Sequence, residues 1–151
     1  MTTPNALQHL RAVVIDDDPI TLAMVKQALV SQGIECFTAV NGAQGWTVAK
    51  RETPEVVVTD LLLPAAHGFQ VLRHVKSDPQ LRDTKVIIMT ASGNDQIRAE
   101  AQRLGADGYF DKPFDLGELV KKIRELVTNP SPRSSSRKAS STPAGDGMIL
   151  P

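Results

Sequence analysis

Asp16, Asp17, Asp60, Thr90 and Lys112 stand at or just beyond the ends of short apolar runs: Ala12-Val13-Val14-Ile15, Val56-Val57-Val58-Thr59, Val86-Ile87-Ile88-Met89 and Tyr109-Phe110. Three carboxylates brought to one place would repel, because free carboxyls titrate near about pH 4. A divalent cation relieves that repulsion. An oxygen-only set with no His or Cys nearby suits Mg²⁺ or Mn²⁺ rather than zinc. Lys112 adds an ammonium that could bind a phosphate oxygen, and Thr90 adds a hydroxyl donor. Carboxylate, metal, ammonium and hydroxyl form a complete set for phosphoryl transfer to an aspartate. In that chemistry the carboxylate is the nucleophile, and the cations neutralise the charge spread over the transferred oxygens.

These residues need elements to bring them together. Runs this short and this rich in β-branched residues read as buried parallel strands when helix-like segments separate them. The spacing predicts strands at about 11–16, 35–40, 56–60, 85–90 and 108–110. Helices are predicted at about 19–32, from 41 to before Pro54, and at 68–76, 95–104 and 116–127. Pro19 suits a first helical position, Asn41 an N-cap, and Gly33 and Gly105 C-terminal caps. Asp18, before Pro19, reads as an N-cap. Leu116, Leu119, Val120, Ile123, Leu126 and Val127 share one helical face, which is expected to pack on the sheet. In a doubly wound α/β sheet the carboxyl ends of the strands face one crevice, where ligands bind.

The bulk properties agree with one domain. The chain has 151 residues, 41% hydrophobic and 23% charged, and 17 basic residues balance 17 acidic ones. That balance points to neither nucleic acid nor an anionic membrane. No apolar run approaches the roughly 20 residues a membrane span needs. Met1-Thr2-Thr3-Pro4-Asn5 has no secretion-signal pattern, and a reducing cytoplasm is the simplest compartment. Cys36 is the single cysteine. It sits in an apolar run and is expected to be a buried structural thiol. Residues 1–10 read as an N-terminal extension and 11–128 as the folded domain. The Ser/Pro-rich stretch 129–151 reads as a flexible tail or a linker to a further domain.

Single pieces of this pattern are weak: a lone acidic pair, a lone Lys-Pro or a lone strand-end Thr has ordinary structural uses. Their order is specific. Val13-Val14-Ile15-Asp16-Asp17-Asp18-Pro19, Val58-Thr59-Asp60-Leu61-Leu62-Leu63-Pro64-Ala65-Ala66-His67-Gly68, Ile88-Met89-Thr90-Ala91-Ser92 and Gly108-Tyr109-Phe110-Asp111-Lys112-Pro113-Phe114 resemble the receiver domain of two-component response regulators, the CheY-like superfamily. The resemblance covers about residues 11–127. It implies a flavodoxin-like (βα)5 three-layer fold with strand order 2-1-3-4-5. It implies that Asp60 accepts a phosphoryl group from a phosphohistidine of a sensor histidine kinase or phosphotransfer protein, so that the chain is a phosphoacceptor rather than a conventional enzyme. Mg²⁺ would be held by Asp17 directly, Asp16 largely through water, Asp60 and the Leu62 backbone carbonyl. Thr90 and Lys112 would hold the phosphoryl group, Thr90 and Tyr109 would form the switch, and the Lys112–Pro113 bond would be cis. The implied output is a protein partner, with a homodimer through the α4-β5-α5 face as one form, and no direct contact with nucleic acid or membrane.

Three departures from the family pattern stand out. Leu62 is apolar two residues after Asp60, and Ser92 is short. Neither suits the orienting of an attacking water, so a long-lived phosphoryl group is expected. Ala65-Ala66-His67 is an unusual loop filling, with His67 expected to be solvated. Asp111 is expected to point away from Lys112 by strand alternation.

Two rivals remain open on the residues. Asp16-Asp17-Asp18 has the Asp-x-Asp form of haloacid-dehalogenase-type phosphatases, with Asp16 as nucleophile and Asp18 as general acid. That reading leaves Asp60 idle and finds no convincing acidic motif after Lys112. The other rival is a non-phosphorylated interaction module on the same fold.

Overall fold

The computed structural model describes residues 9–128, with the first eight residues and everything from 129 onward outside the described part. The proposed tail or linker and most of the N-terminal extension therefore lie outside the described residues. Five strands and five helices alternate: β1 Arg11–Ile15, α1 Pro19–Val30, β2 Glu35–Ala39, α2 Gly42–Glu52, β3 Val56–Asp60, α3 Gly68–Ser77, β4 Lys85–Thr90, α4 Asp95–Arg103, β5 Gly108–Asp111 and α5 Leu116–Thr128. The strands form one sheet in the order β2-β1-β3-β4-β5, and every pairing is parallel.

Side-chain alternation along the strands divides the core in two. Ala12, Val14, Val56, Val58, Ile87 and Met89 point to one face, where Leu22, Val25 and Leu29 of α1 and Leu119, Val120 and Ile123 of α5 cover them. Val13, Ile15, Val57, Val86 and Ile88 point to the other, beneath Val48 of α2, Val71, Leu72 and Val75 of α3 and Ala101 of α4. Apolar residues on both faces are what a sheet sandwiched between helix layers requires. The flavodoxin-like expectation is met element by element.

Local signals set most boundaries. Asp18 caps α1, accepting the Ile20 and Thr21 N–H groups. Asn41 caps α2 and Asn94 caps α4. Helix α1 stops at Val30 rather than Gln32, because Gln32 and Gly33 donate to the Leu29 and Val30 carbonyls, an i→i+3 tightening that ends the helix. Gly33 follows in the left-handed region at φ 87°, which glycine adopts without penalty. Cys36 is buried as expected.

Candidate phosphoryl-acceptor site

Strand register brings the strand-end residues together. Ile15 pairs with Thr59 and Asp60 with Met89. Asp16 and Thr90 thus flank the β3 end on which Asp60 sits. Thr90 pairs with Asp111, and the Lys112 N–H donates to the Thr90 carbonyl at 2.9 Å. The Lys112–Pro113 peptide is cis.

The side chains converge as well. Asp16 is fully buried, and Asp60 and Thr90 are buried. The Lys112 ammonium lies 2.6 Å from Asp16 Oδ2 and 3.2 Å from Asp60 Oδ2. The other Asp16 oxygen accepts the Asp18 N–H at 2.8 Å, and the other Asp60 oxygen accepts the Leu61 N–H at 2.7 Å. Thr90 Oγ1 accepts the Ser92 N–H at 3.1 Å. Asp17 is exposed at the rim, yet Asp16, Asp17 and Asp60 can each offer an oxygen within 4.8 Å of the others.

The electrostatics follow from burial and charge. Burial raises the Asp16 pKa, and the hydrogen bonds from Lys112 and from the Asp18 N–H offset this only in part. Burial alone would lower the Lys112 pKa, but Asp16 and Asp60 outweigh it and hold the ammonium above its ordinary value. One ammonium thus bridges Asp16 and Asp60, and Asp17 brings a third carboxylate within 4.8 Å of them. An all-oxygen donor set short of positive charge fits a hard divalent ion.

Other candidate residues take different places. Asp18 is committed to α1: its carboxylate accepts from Ile20 N, Thr21 N and the Thr21 hydroxyl. A cap held this way is a poor general acid, which weakens the phosphatase reading. Asp111 turns from Lys112 and pairs with Arg98 at 2.9 Å. Leu62 lies outside the cluster with its side chain 54% exposed. Tyr109 sits inward, packed against the α2–α3–α4 core.

His67 corrects a sequence expectation. It is not a solvated loop residue but the N-cap of α3, its Nδ1 accepting the Phe69 N–H while Gln70 closes the capping box. Glycines near the site were also missed. A Cβ on Gly68 would strike the Asp60 carbonyl, and one on Gly42 would strike that of Ala66. The start of α2 donates to the same loop, from Gly42 to Pro64 and from Ala43 to Ala65, while Ala65 and Ala66 hold φ of 50° and 96°. The sequence signal was available: a glycine at the first position of both helices.

The response regulator receiver domain family model matches residues 12–124. The chain belongs to that family. Among curated relatives, the regulator RpaA of Synechocystis is 34% identical over 117 residues, which are 78% of this chain and 48% of RpaA. Protein PilH of Pseudomonas aeruginosa is 31% identical over 117 residues, 78% of this chain and 97% of PilH. The receiver domain of a NarL response regulator from Mycobacterium tuberculosis superposes with a TM-score of 0.74 at 29% identity, covering 81% of this chain and 98% of that one. The chain spans about half the length of the first curated relatives it matches. As a receiver of two-component signalling it has a CheY-like fold, and the acidic cluster is in keeping with a Mg²⁺ site.

Proposed function

We propose that this receiver accepts a phosphoryl group on Asp60 from the phosphohistidine of a sensor kinase or phosphotransfer protein. The observation that carries this is the convergence of Asp16, Asp60 and Lys112, with Asp17 at the rim and Thr90 at the next strand end. Asp60 Oδ2 would attack phosphorus in line, and the imidazole of the donor would leave. Lys112, already 3.2 Å from that oxygen, would turn to a phosphoryl oxygen. Thr90 would donate its hydroxyl to another. Asp16, Asp17, Asp60 and the Leu62 carbonyl would hold Mg²⁺. When bound, that ion would offset negative charge on the transferred group.

Phosphorylation adds close to two negative charges and new acceptors. Drawing Thr90 and Lys112 toward them would favour one arrangement of Tyr109, and with it one shape of the α4-β5-α5 face. That face would then control a protein partner or a second copy of the chain. The domain would act as a phosphoacceptor that assists its own phosphorylation and dephosphorylation, without direct nucleic-acid contact of its own, in the cytoplasm. Among the described residues no helix is long and apolar enough to cross a membrane.

Incubation with acetyl phosphate and Mg²⁺ is expected to add the mass of one phosphoryl group. Asp60→Asn is expected to abolish it. Labelling that survives Asp60→Asn but is lost in Asp16→Asn would favour the phosphatase reading. An unchanged mass with every small donor and kinase tried would leave an interaction module.

A further inference from the structure

Tyr109 is enclosed on three sides by features that the phosphoacceptor chemistry does not use. Its hydroxyl is buried and has no hydrogen bond of normal geometry, although the Asp111 carboxylate lies close enough to act on it. A Cβ on Gly93 would overlap that hydroxyl and come within 2.7 Å of Asp111 Oδ1, so the slot exists because residue 93 is glycine. The Arg98 guanidinium stacks over the ring at 4.4 Å from its centroid. The same guanidinium pairs with Asp111 Oδ2 at 2.9 Å. Burial, and next the Asp111 charge, raise the Tyr109 pKa, in keeping with a phenol held dry beside a carboxylate.

Stability does not account for this arrangement. The Arg98 and Asp111 side chains are 47% and 53% exposed, and an exposed ion pair contributes little to folding. A buried phenol whose hydrogen bonding is incomplete is itself unfavourable. What the pair does is geometric. Arg98 comes from α4 and Asp111 from the end of β5, and their pairing keeps the guanidinium over the ring.

We propose that Arg98 and Asp111 are positioning residues that clasp the Tyr109 ring in the slot under Gly93 and so set how readily the α4–β5 face changes shape. The clasp deepens the functional reading above and rests on Tyr109 being its switch. Asp111 carries the device, because it orients Arg98 with one oxygen while the other shares the space beside Gly93 with the phenol hydroxyl. Loss of its charge frees the guanidinium to swing into water, and the ring loses its cover.

The chain has one tyrosine, so 3-fluorotyrosine incorporation gives one ¹⁹F resonance. The first measurement uses the protein with neither phosphodonor nor Mg²⁺, and therefore does not depend on phosphorylation. Asp111→Asn and Arg98→Met are expected to move the resonance toward that of free 3-fluorotyrosine. Each should raise the exposed-ring population by about two- to fivefold, the effect of one exposed cation–π contact. Asp111→Glu is expected to restore the wild-type position, and Gly93→Ala to expel the ring outright. A spectrum unmoved by Asp111→Asn and by Arg98→Met would overturn the clasp. The second measurement is the affinity of the site for beryllofluoride, a phosphoryl analogue, with Mg²⁺. Linkage requires that a ring coupled to the site change that affinity when its own population changes, so Asp111→Asn should weaken binding by a similar factor. A shifted resonance with unchanged affinity would support the clasp and overturn Tyr109 as the switch.

Discussion

Leu62 and Cys36 show how single side chains carry consequences that the fold does not dictate. Leu62 stands two residues beyond Asp60 and presents an exposed hydrocarbon to solvent. Hydrolysis of an acyl phosphate there needs a water aimed at phosphorus, and a leucine can neither accept nor donate a hydrogen bond to it. We expect a comparatively long-lived phosphoryl group. Leu62→Asn should shorten its half-life severalfold, as followed by loss of the added mass after donor removal; equal decay in the two proteins would refute the idea. Cys36 is chemically quiet for the opposite reason, since its surroundings are apolar. Burial pushes its thiol up to about 11. The reactive thiolate is therefore scarce at neutral pH and grows only as pH rises toward that value. Alkylation of the native protein by iodoacetamide at neutral pH should be far slower than after unfolding in urea, and equal rates would contradict the burial.

At the scale of elements, the β3–α3 connection is the most constrained part of the site. It leaves Asp60, passes Ala65 and Ala66 in the left-handed region, docks on the start of α2, and enters α3 through the His67 cap. Left-handed alanines cost energy, and the backbone bonds to Gly42 and Ala43 together with the capping box hold them there. Gly68 is the pivot, because no Cβ fits between α3 and the Asp60 carbonyl. Gly68→Ala should destabilise the domain by about 1–3 kcal/mol, the usual range for overpacking, and should slow Asp60 labelling by displacing the strand end. Urea unfolding and acetyl phosphate labelling measure the two effects. A variant of wild-type stability and rate would show that the loop has room to spare.

At the scale of the whole molecule, the acidic site ties distant parts of the chain together. Lys112 and Asp16 are 96 positions apart in sequence yet 2.6 Å apart in space. The unfolded chain has no such cluster, so an ion that binds it should stabilise only the folded state. Mg²⁺ at a hundred times its dissociation constant would add about 2.7 kcal/mol. We expect the melting temperature to rise with Mg²⁺, and the rise to be blunted in Asp17→Asn, which removes a rim carboxylate without touching the core. A melting curve indifferent to Mg²⁺ would count against the metal site.

Much of this was legible in the residues. Strand and helix types follow from apolar period, and their alternation leaves few topologies open, because parallel crossovers are right-handed and short. The strand-end positions of Asp16, Asp60 and Thr90 follow from where each apolar run stops. Other facts depended on partners distant in the chain. His67 looked like loop because a neutral imidazole is an uncommon cap, and only the backbone path showed its Nδ1 facing the Phe69 N–H. Gly42, Gly68 and Gly93 are ordinary glycines in sequence, and what excludes a side chain at each lies on another element. The Arg98–Asp111 pair over Tyr109 likewise joins α4 to the end of β5. Local periodicity encodes which face of an element is buried, so sequence alone determined the elements and the chemistry at their ends. Close approach between elements has no local code, so the packing of loop, cap and ring around that chemistry was decided only by the tertiary structure.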